Sequence, residues 1–340
     1  MVRELRDALA QRPLFLEVTP PSARSPRHRG EEHRERVGAL VREIPRVDLI
    51  DVPELIDENH EGRPYYRSGD VRAFSAGLAT ATDRPVAINK VVAHLESIHA
   101  VEAWARETVG QGIHHLVFVG GSSRFVPYPG PSVTEADRAV LPIVRSAGGS
   151  IGNIAIPQRT GEAHRLLAKT RAGASFFTTQ ILFESAATEG MIREYDALCR
   201  RAGLAPAAVL LSFAPMVDEG DAEFVRWLGA DIPEPTEREI LSSDEGAGVE
   251  RSIDHSLKIW RELNAQLAAG HVGVPLGVNV EEILPRHFDA AADLLRAFAR
   301  AIDAEAPTAS DPSTGTNPGQ DKGIQSHTGP NLGISPISRD

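Results

Sequence analysis

Two polar side chains interrupt apolar stretches of this sequence, and both are of types that can do chemistry. Glu17 lies in the apolar run that begins at Leu14. A carboxyl group in apolar surroundings has a raised pKa, as a general acid near neutral pH requires. Gln180 lies near the end of a run of aromatic and β-branched residues that begins at Phe176. Because a buried, unpaired amide costs about 1–3 kcal/mol, Gln180 either meets a ligand or bonds to the neighbouring backbone. Glu17 in turn either serves a site or begins a loop in water.

Several further residues follow predicted strands, where they could approach or hydrogen-bond a ligand. His94 could orient a cofactor or relay protons, or it could be a loop histidine on the surface. Arg159 suits a carboxylate or a phosphate group. Two glycines that permit close backbone approach, two hydroxyl groups and two later strand ends complete the set: Gly120, Gly121, Ser122, Ser123, Phe213 and Asn279. No metal site is expected, since His94 and His99 lack the His-Glu-x-x-His spacing of a zinc motif.

The composition restricts the classes of partner that we expect. The 340 residues carry 36 basic and 47 acidic side chains, a net charge of −11, without a basic run. This balance argues against nucleic acid and anionic membranes as partners. A single cysteine, Cys199, excludes a disulfide framework. The N-terminal residues lack a signal-like apolar segment and no run reaches about 20 apolar residues, so we expect a cytoplasmic protein. The oligomeric state stays open, a homo-oligomer included.

Eight strand-like runs alternate with helical patterns along the chain. The predicted strands span residues 14–19, 47–52, 85–92, 115–119, 151–156, 176–183, 208–213 and 275–280, and the last helix spans 282–302. Eight such units in about 300 residues favour a single (β/α)8 TIM barrel, whose chemistry lies at the carboxyl ends of its strands. The first strand lacks the glycine-rich turn of a dinucleotide-binding sheet. Residues 306–340 are rich in small and polar residues, which predicts a disordered tail after a barrel domain of residues 1–305.

The sequence resembles the methylenetetrahydrofolate reductase family over most of residues 10–302, through the order of its motifs. Residues 15–21 are similar to the family's opening Phe-Glu-x-x-Pro-Pro strand, and residues 173–180 to its Gly-Ala-x-x-x-x-Thr-Gln segment. His94 lies in an Ala-His-Leu sequence like the one that follows the family's third strand. Lys169 stands where the family has a lysine near the flavin phosphates.

The resemblance implies reduction of 5,10-methylenetetrahydrofolate to 5-methyltetrahydrofolate. Glu17 would protonate a ring nitrogen as the methylene bridge opens to an iminium, and a hydride would then reach the exposed carbon. Gln180 would hydrogen-bond the pterin, while Phe213 and Asn279 would shape the pocket. The resemblance also implies FAD as a cofactor, contacted by His94, and NAD(P)H as the reductant.

The chain departs from the family at other flavin contacts, and three functions stay open. Residues 119–121 are Val-Gly-Gly instead of Arg-Gly-Asp, Ile156 replaces an aromatic residue, and Arg165 and Ala168 replace an Asn and an Arg. The first function is a flavin-dependent reductase with substituted contacts from Ser122, Ser123, Arg159 and Arg165. The second is a flavin-free reductase that takes hydride from NADH or a reduced deazaflavin. The third is a pterin-binding barrel without redox activity, acting as a partner subunit in methyl transfer.

Overall fold

Eight parallel strands close into a barrel in the computed structural model, which describes residues 4–56, 59–60, 63–64, 67–121, 126–242 and 248–305. Each strand pairs with the next one along the chain, and the eighth closes against the first. The strands are β1 (Leu14–Val18), β2 (Leu49–Pro53), β3 (Val86–Val91), β4 (His115–Val119), β5 (Ser150–Ala155), β6 (Phe176–Ile181), β7 (Ala208–Phe213) and β8 (Leu276–Glu282). The predicted TIM barrel is therefore confirmed.

One short helix precedes the first strand, and the helices that follow the strands form the outer layer. They are α1 (Leu5–Leu9), α2 (Arg27–Glu43), α3 (Val71–Thr82), α4 (Ile98–Gly110), α5 (Val133–Ser146), α6 (Glu162–Ala172), α7 (Ala186–Ala202), α8 (Glu219–Trp227), α9 (Glu234–Ile240), α10 (Gly248–Ala269) and α11 (Phe288–Ala304). Short 3-10 turns cover Val92–His94 and Pro285–His287, and Asn59–His60 pairs antiparallel with Arg63–Pro64. Within the described part of the chain, no helix is long and apolar enough to cross a membrane.

The amino-terminal half of the barrel interior is apolar. Successive side chains of a strand point to opposite faces, so Leu14 and Leu16 pack outward against helices while Phe15 points inward. The rings of Phe15 and Phe176 meet edge to face at 5.5 Å. Leu5 and Leu9 of α1 join the same buried cluster. The polar inward positions therefore lie nearer the carboxyl ends of the strands.

Local signals in the sequence set the boundaries of several elements. Ser132 and Glu135 form a reciprocal capping box at the start of α5. Gly173 ends α6 with φ +119°, a backbone conformation that favours glycine, and leads directly into β6. The prediction of a last helix over 282–302 is wrong at its start, because β8 continues through Glu282 and α11 begins only at Phe288. Pro285 explains the difference, since the residue before a proline is driven to extended backbone.

Residues 306–340, for which the sequence predicts a disordered tail, lie outside the described residues.

Candidate functional site

Three carboxyl groups lie next to one another inside the barrel, on β8, β1 and β2. Glu17 is in register with Glu281 on one side and with Asp51 on the other. Residues in register on neighbouring strands, about 4.8 Å apart, share one face of a sheet, so these three side chains share the interior. Asp51 is fully buried, whereas Glu17 and Glu281 keep partial access to solvent.

Amide and hydroxyl groups from neighbouring strands surround these carboxyl groups. The Nδ2 of Asn89 donates to Oε2 of Glu17 at 3.4 Å. The Nδ2 of Asn279 donates to Oγ of Ser212 at 3.1 Å and to Oε1 of Glu281 at 3.3 Å. The buried amide oxygens of both asparagines accept no hydrogen bond from the described residues. They can therefore accept from a protonated carboxyl group nearby.

Burial favours the acid form of these carboxyl groups. It raises the pKa of Glu17 well above the usual range, and the negative charges of Glu281 and Asp51 raise it further, with Asn89 and Asn279 partly opposing this. Burial likewise raises the pKa of Asp51 to about 7 and that of Glu281 to about 7. The raised pKa of Glu17 agrees with the effect that the sequence predicts for a carboxyl group in apolar surroundings.

A cleft of about 500 Å³ opens in the neighbouring sector of the same barrel, over β3 to β6. A volume of this size suits a small-molecule ligand. Its lining combines apolar side chains with glycines, three cations and an amide: Glu54, Leu55, Ile56, Val91, Phe118, Val119, Gly120, Gly121, Val133, Ile154, Ile156, Arg159, Arg165, Lys169, Gln180, Trp227, Leu228 and Gly229. The structure therefore brings Gly120, Gly121, Gln180 and the three predicted cations together, and Glu17 lines the adjoining interior instead.

The three cations of the cleft surround one buried carboxylate. Glu162, at the start of α6, lies 3.8 Å from a terminal nitrogen of each of Arg159, Arg165 and Lys169. The Nζ of Lys169 also donates to the Ile154 carbonyl at 2.6 Å, and burial lowers the pKa of this ammonium. The carboxylate of Glu54 also lines the cleft, but it pairs with Lys90 at 2.6 Å. The three cations around Glu162 therefore leave an excess of positive charge on their side of the cleft. Such a site favours an anionic group, for example a phosphate.

Gln180 both bonds to the backbone and lines the cleft. Its Nε2 donates to the Leu228 carbonyl at 3.1 Å, and its Oε1 accepts from the Ile181 N–H at 3.0 Å. The register between β6 and β7 shifts between Thr178 and Ile181, so Gln180 lies at an irregularity of the strand. Such bulges change the direction in which a side chain points. The second N–H of the amide is left to donate to a ligand in the cleft.

The loop after β4 packs against the segment after β3. A side chain at Gly121 would overlap the ring of Tyr128, so the ring would have to shift to admit one. The same ring lies edge to face with His94 at 5.1 Å. His94 is exposed and is not part of the cleft lining. The predicted contacts Ser122 and Ser123 lie outside the described residues.

One predicted pocket residue points outward, to the helical layer. Phe213 is fully buried and stacks on Phe298 of α11 with ring centroids 4.8 Å apart. The prediction that Phe213 shapes the pocket is wrong, because outward and inward positions alternate along β7 and Ser212 takes the inward one. Asn279 does point into the interior, beside Glu281.

Sequence reasoning missed Asp51, Glu281 and Asn89. A signal for Asp51 was available, because an aspartate interrupts the apolar run of β2 just as Glu17 interrupts that of β1. Glu281 was hidden by the predicted helix start at residue 282. No group of three or more His, Cys, Asp and Glu side chains among the described residues is arranged to hold a metal ion.

Comparisons with known proteins support the fold. The chain is similar to an uncharacterized protein from Clostridium thermocellum that binds two copies of 5-methyl-5,6,7,8-tetrahydrofolic acid, with TM-score 0.68 and 18% identity over 88% of this chain and 100% of that one. A chain of the tryptophan synthase α2β2 complex from Pyrococcus furiosus aligns at 12% identity and TM-score 0.45 over 86% of this chain and 98% of its own, too weakly to support an argument. No protein-family model and no curated protein sequence matches significantly.

Proposed function

We propose that this protein reduces 5,10-methylenetetrahydrofolate to 5-methyltetrahydrofolate, with Glu17 as the general acid. The observation that carries the proposal is the Glu17 carboxyl inside the barrel, partly open to solvent and flanked by two further carboxyl groups, where burial raises its pKa. Opening the methylene bridge needs a proton on a ring nitrogen, and an acid with a raised pKa can supply it near pH 7. The Clostridium thermocellum barrel, which binds the methylated folate, supports a folate as the ligand.

Residues of the carboxyl cluster and residues of the cleft have different roles in this reaction. Glu17 gives its proton to the ring nitrogen as the carbon–nitrogen bond breaks, and the resulting iminium carbon accepts a hydride. Gln180 and Asn279 offer amide groups to the pterin ring, which carries both donors and acceptors. Holding the hydride donor about 3–3.5 Å from the carbon accounts for much of the acceleration in such a reaction.

The cleft fits the anionic part of a hydride donor. Arg159, Arg165 and Lys169 would hold phosphate groups, because among the described residues Glu162 is the one carboxylate in an ion pair with them. A flavin, a reduced nicotinamide or a reduced deazaflavin bound there would supply the hydride. FAD remains the family expectation, although Val119, Gly120 and Gly121 bring no charge to the cleft. A hydride donor other than flavin agrees better with the lack of charge at these three positions.

A folate-binding barrel without redox activity is the second candidate. It is favoured by Val119, Gly120 and Gly121, which stand where the reductase family has charged residues beside its flavin. Such a protein would bind a folate and leave it unchanged.

The test combines a spectrum with turnover measurements. Purified protein is scanned for visible absorbance, then mixed with 5,10-methylenetetrahydrofolate and NADH, NADPH or a reduced deazaflavin. Glu17→Gln should lower turnover by about 10²- to 10⁴-fold while folate still binds. Glu282→Gln is the matched control, since Glu282 is the next carboxyl on β8 but points outward to His33 at 3.1 Å. Unchanged turnover in Glu17→Gln removes it from the mechanism, and folate binding without turnover for any donor leaves the second candidate.

A further inference from the structure

We propose that Asp51 and Glu281 are positioning residues for Glu17. Their own carboxyl groups lie on the strands at either side of Glu17 and keep it in its acid form. This inference deepens the proposed function, because it rests on Glu17 as the acid. Neither residue is part of the motifs that suggested the function. Both follow from the register of β8, β1 and β2.

The three carboxyl groups cannot all ionise together in this interior. The charged groups that act on Glu17 are Glu281 of β8 and Asp51 of β2, and its hydrogen-bond partners are the neutral amides of Asn89 and Asn279. Glu281 in turn meets Ser212, Asp51 and Asn279. The described contacts of Glu17 thus include no cation that would offset several negative charges. Like charges this close disfavour one another's ionised form, so the cluster gives up its protons one at a time.

The environments of the three groups decide which one ionises first. Neither oxygen of Asp51 has a hydrogen bond of normal geometry within the described residues, although the Asn89 amide and the Val52 N–H lie close enough to favour its charged form. Hydrogen bonds from Ser212 and Asn279 favour the charged form of Glu281. Around pH 7 these two residues share the first negative charge. Glu17 lies between the two, and their negative charges raise its pKa beyond the effect of burial.

This arrangement also returns a proton to Glu17 after each reaction. The proton of Glu17 moves to the ring nitrogen, the carbon–nitrogen bond breaks, and the hydride donor is oxidised as the iminium carbon is reduced. The Glu17 carboxylate left behind is disfavoured beside Asp51 and Glu281, so it takes up a proton from solvent. Its partial exposure provides the path for that proton.

The test follows the protonation of Glu17 directly. The carboxylic carbonyl band of Glu17 is identified in infrared difference spectra by its loss in Glu17→Gln. It is then titrated in the wild type and in Glu281→Gln, Asp51→Asn and Glu282→Gln. We expect the band to disappear at lower pH in Glu281→Gln and in Asp51→Asn than in the wild type. Glu282→Gln, the same chemical change on the outer face of β8, should leave it where it is.

Turnover provides the second readout. The alkaline limb of the pH–rate profile should move to lower pH in the same two variants, with a loss of about tenfold for each pH unit above it, while the rate at low pH is kept. An infrared titration that is identical in the wild type, Glu281→Gln and Glu282→Gln overturns the inference. If Asp51→Asn does not fold, Glu281→Gln decides alone, since Glu281 is only partly buried. A protein that reduces no folate with any donor but shows the infrared shift refutes the reductase and keeps the assignment of Asp51 and Glu281.

Discussion

Replacing Asp51 by Asn should stabilise the protein at alkaline pH and change its stability little in acid. Asp51 is fully buried, and burial raises the pKa of its carboxyl from 3.8 to about 7. In the unfolded chain the same group loses its proton near pH 4. Between these two values the folded state holds a proton that the unfolded state has released. Stability therefore falls as pH rises through this window, and the loss is complete above about pH 7.

The difference between the two pKa values gives the size of the effect. Each pH unit between the two values is worth about 1.4 kcal/mol, so the free energy of unfolding loses up to about 4 kcal/mol from Asp51 alone. An asparagine has the shape of the protonated acid and never ionises. The stabilisation by Asp51→Asn should therefore grow by about 2–3 kcal/mol between about pH 5 and about pH 8.

Urea unfolding at the two pH values, followed by circular dichroism, measures this difference. The exposed Glu96 offers the matched control, because Glu96→Gln removes a carboxyl from the surface and should alter stability little at either pH. A gain or loss in Asp51→Asn that is equal at both pH values would refute the reasoning. It would mean that Asp51 is already ionised at about pH 5 in the folded protein.

Two further substitutions test the cleft. Gln180→Ala should weaken folate binding more than binding of the hydride donor, measured by calorimetric titration of each, and the opposite order would contradict its assignment to the pterin. Gly121→Ala puts a methyl group where the Tyr128 ring lies, 2.1 Å away, and should lower the free energy of unfolding by about 1–3 kcal/mol. Gly110→Ala, which has open space around it, is the control, and equal stability of the two variants would count against the packing.

The order of elements could be predicted because each strand is a short apolar run bounded by polar turns. β7 illustrates the limit of that approach, since the run that predicts the strand does not say which of Ser212 and Phe213 points inward. That choice depends on the register with β8, which joins residues 67 positions apart at Asn279. The pairing of one strand with its neighbour leaves no periodic pattern in the sequence of a single strand.

The candidate site could be predicted in part. Glu17 and Gln180 were recognisable because a polar side chain within an apolar strand is unusual and because both belong to motifs. The cations at Arg159, Arg165 and Lys169 could be proposed, but their common partner Glu162 could not, since a glutamate at the start of a helix is ordinary in any sequence. The meeting of Glu17 with Glu281 likewise depends on barrel closure, which brings the first and last strands together.

The stability lost to the interior carboxyl groups bears on the choice between catalysis and binding. Asp51 and Glu281 both have their pKa raised to about 7, so keeping them inside the barrel weakens the folded state at neutral pH. A barrel that only held a pterin could do so with amides such as Asn89 and Asn279, which bind donors and acceptors without that loss. A protonated carboxyl offers what an amide cannot, namely a proton that leaves. The cluster around Glu17 therefore favours acid chemistry over binding alone, and the cations of the neighbouring cleft favour an anionic co-reactant to go with it.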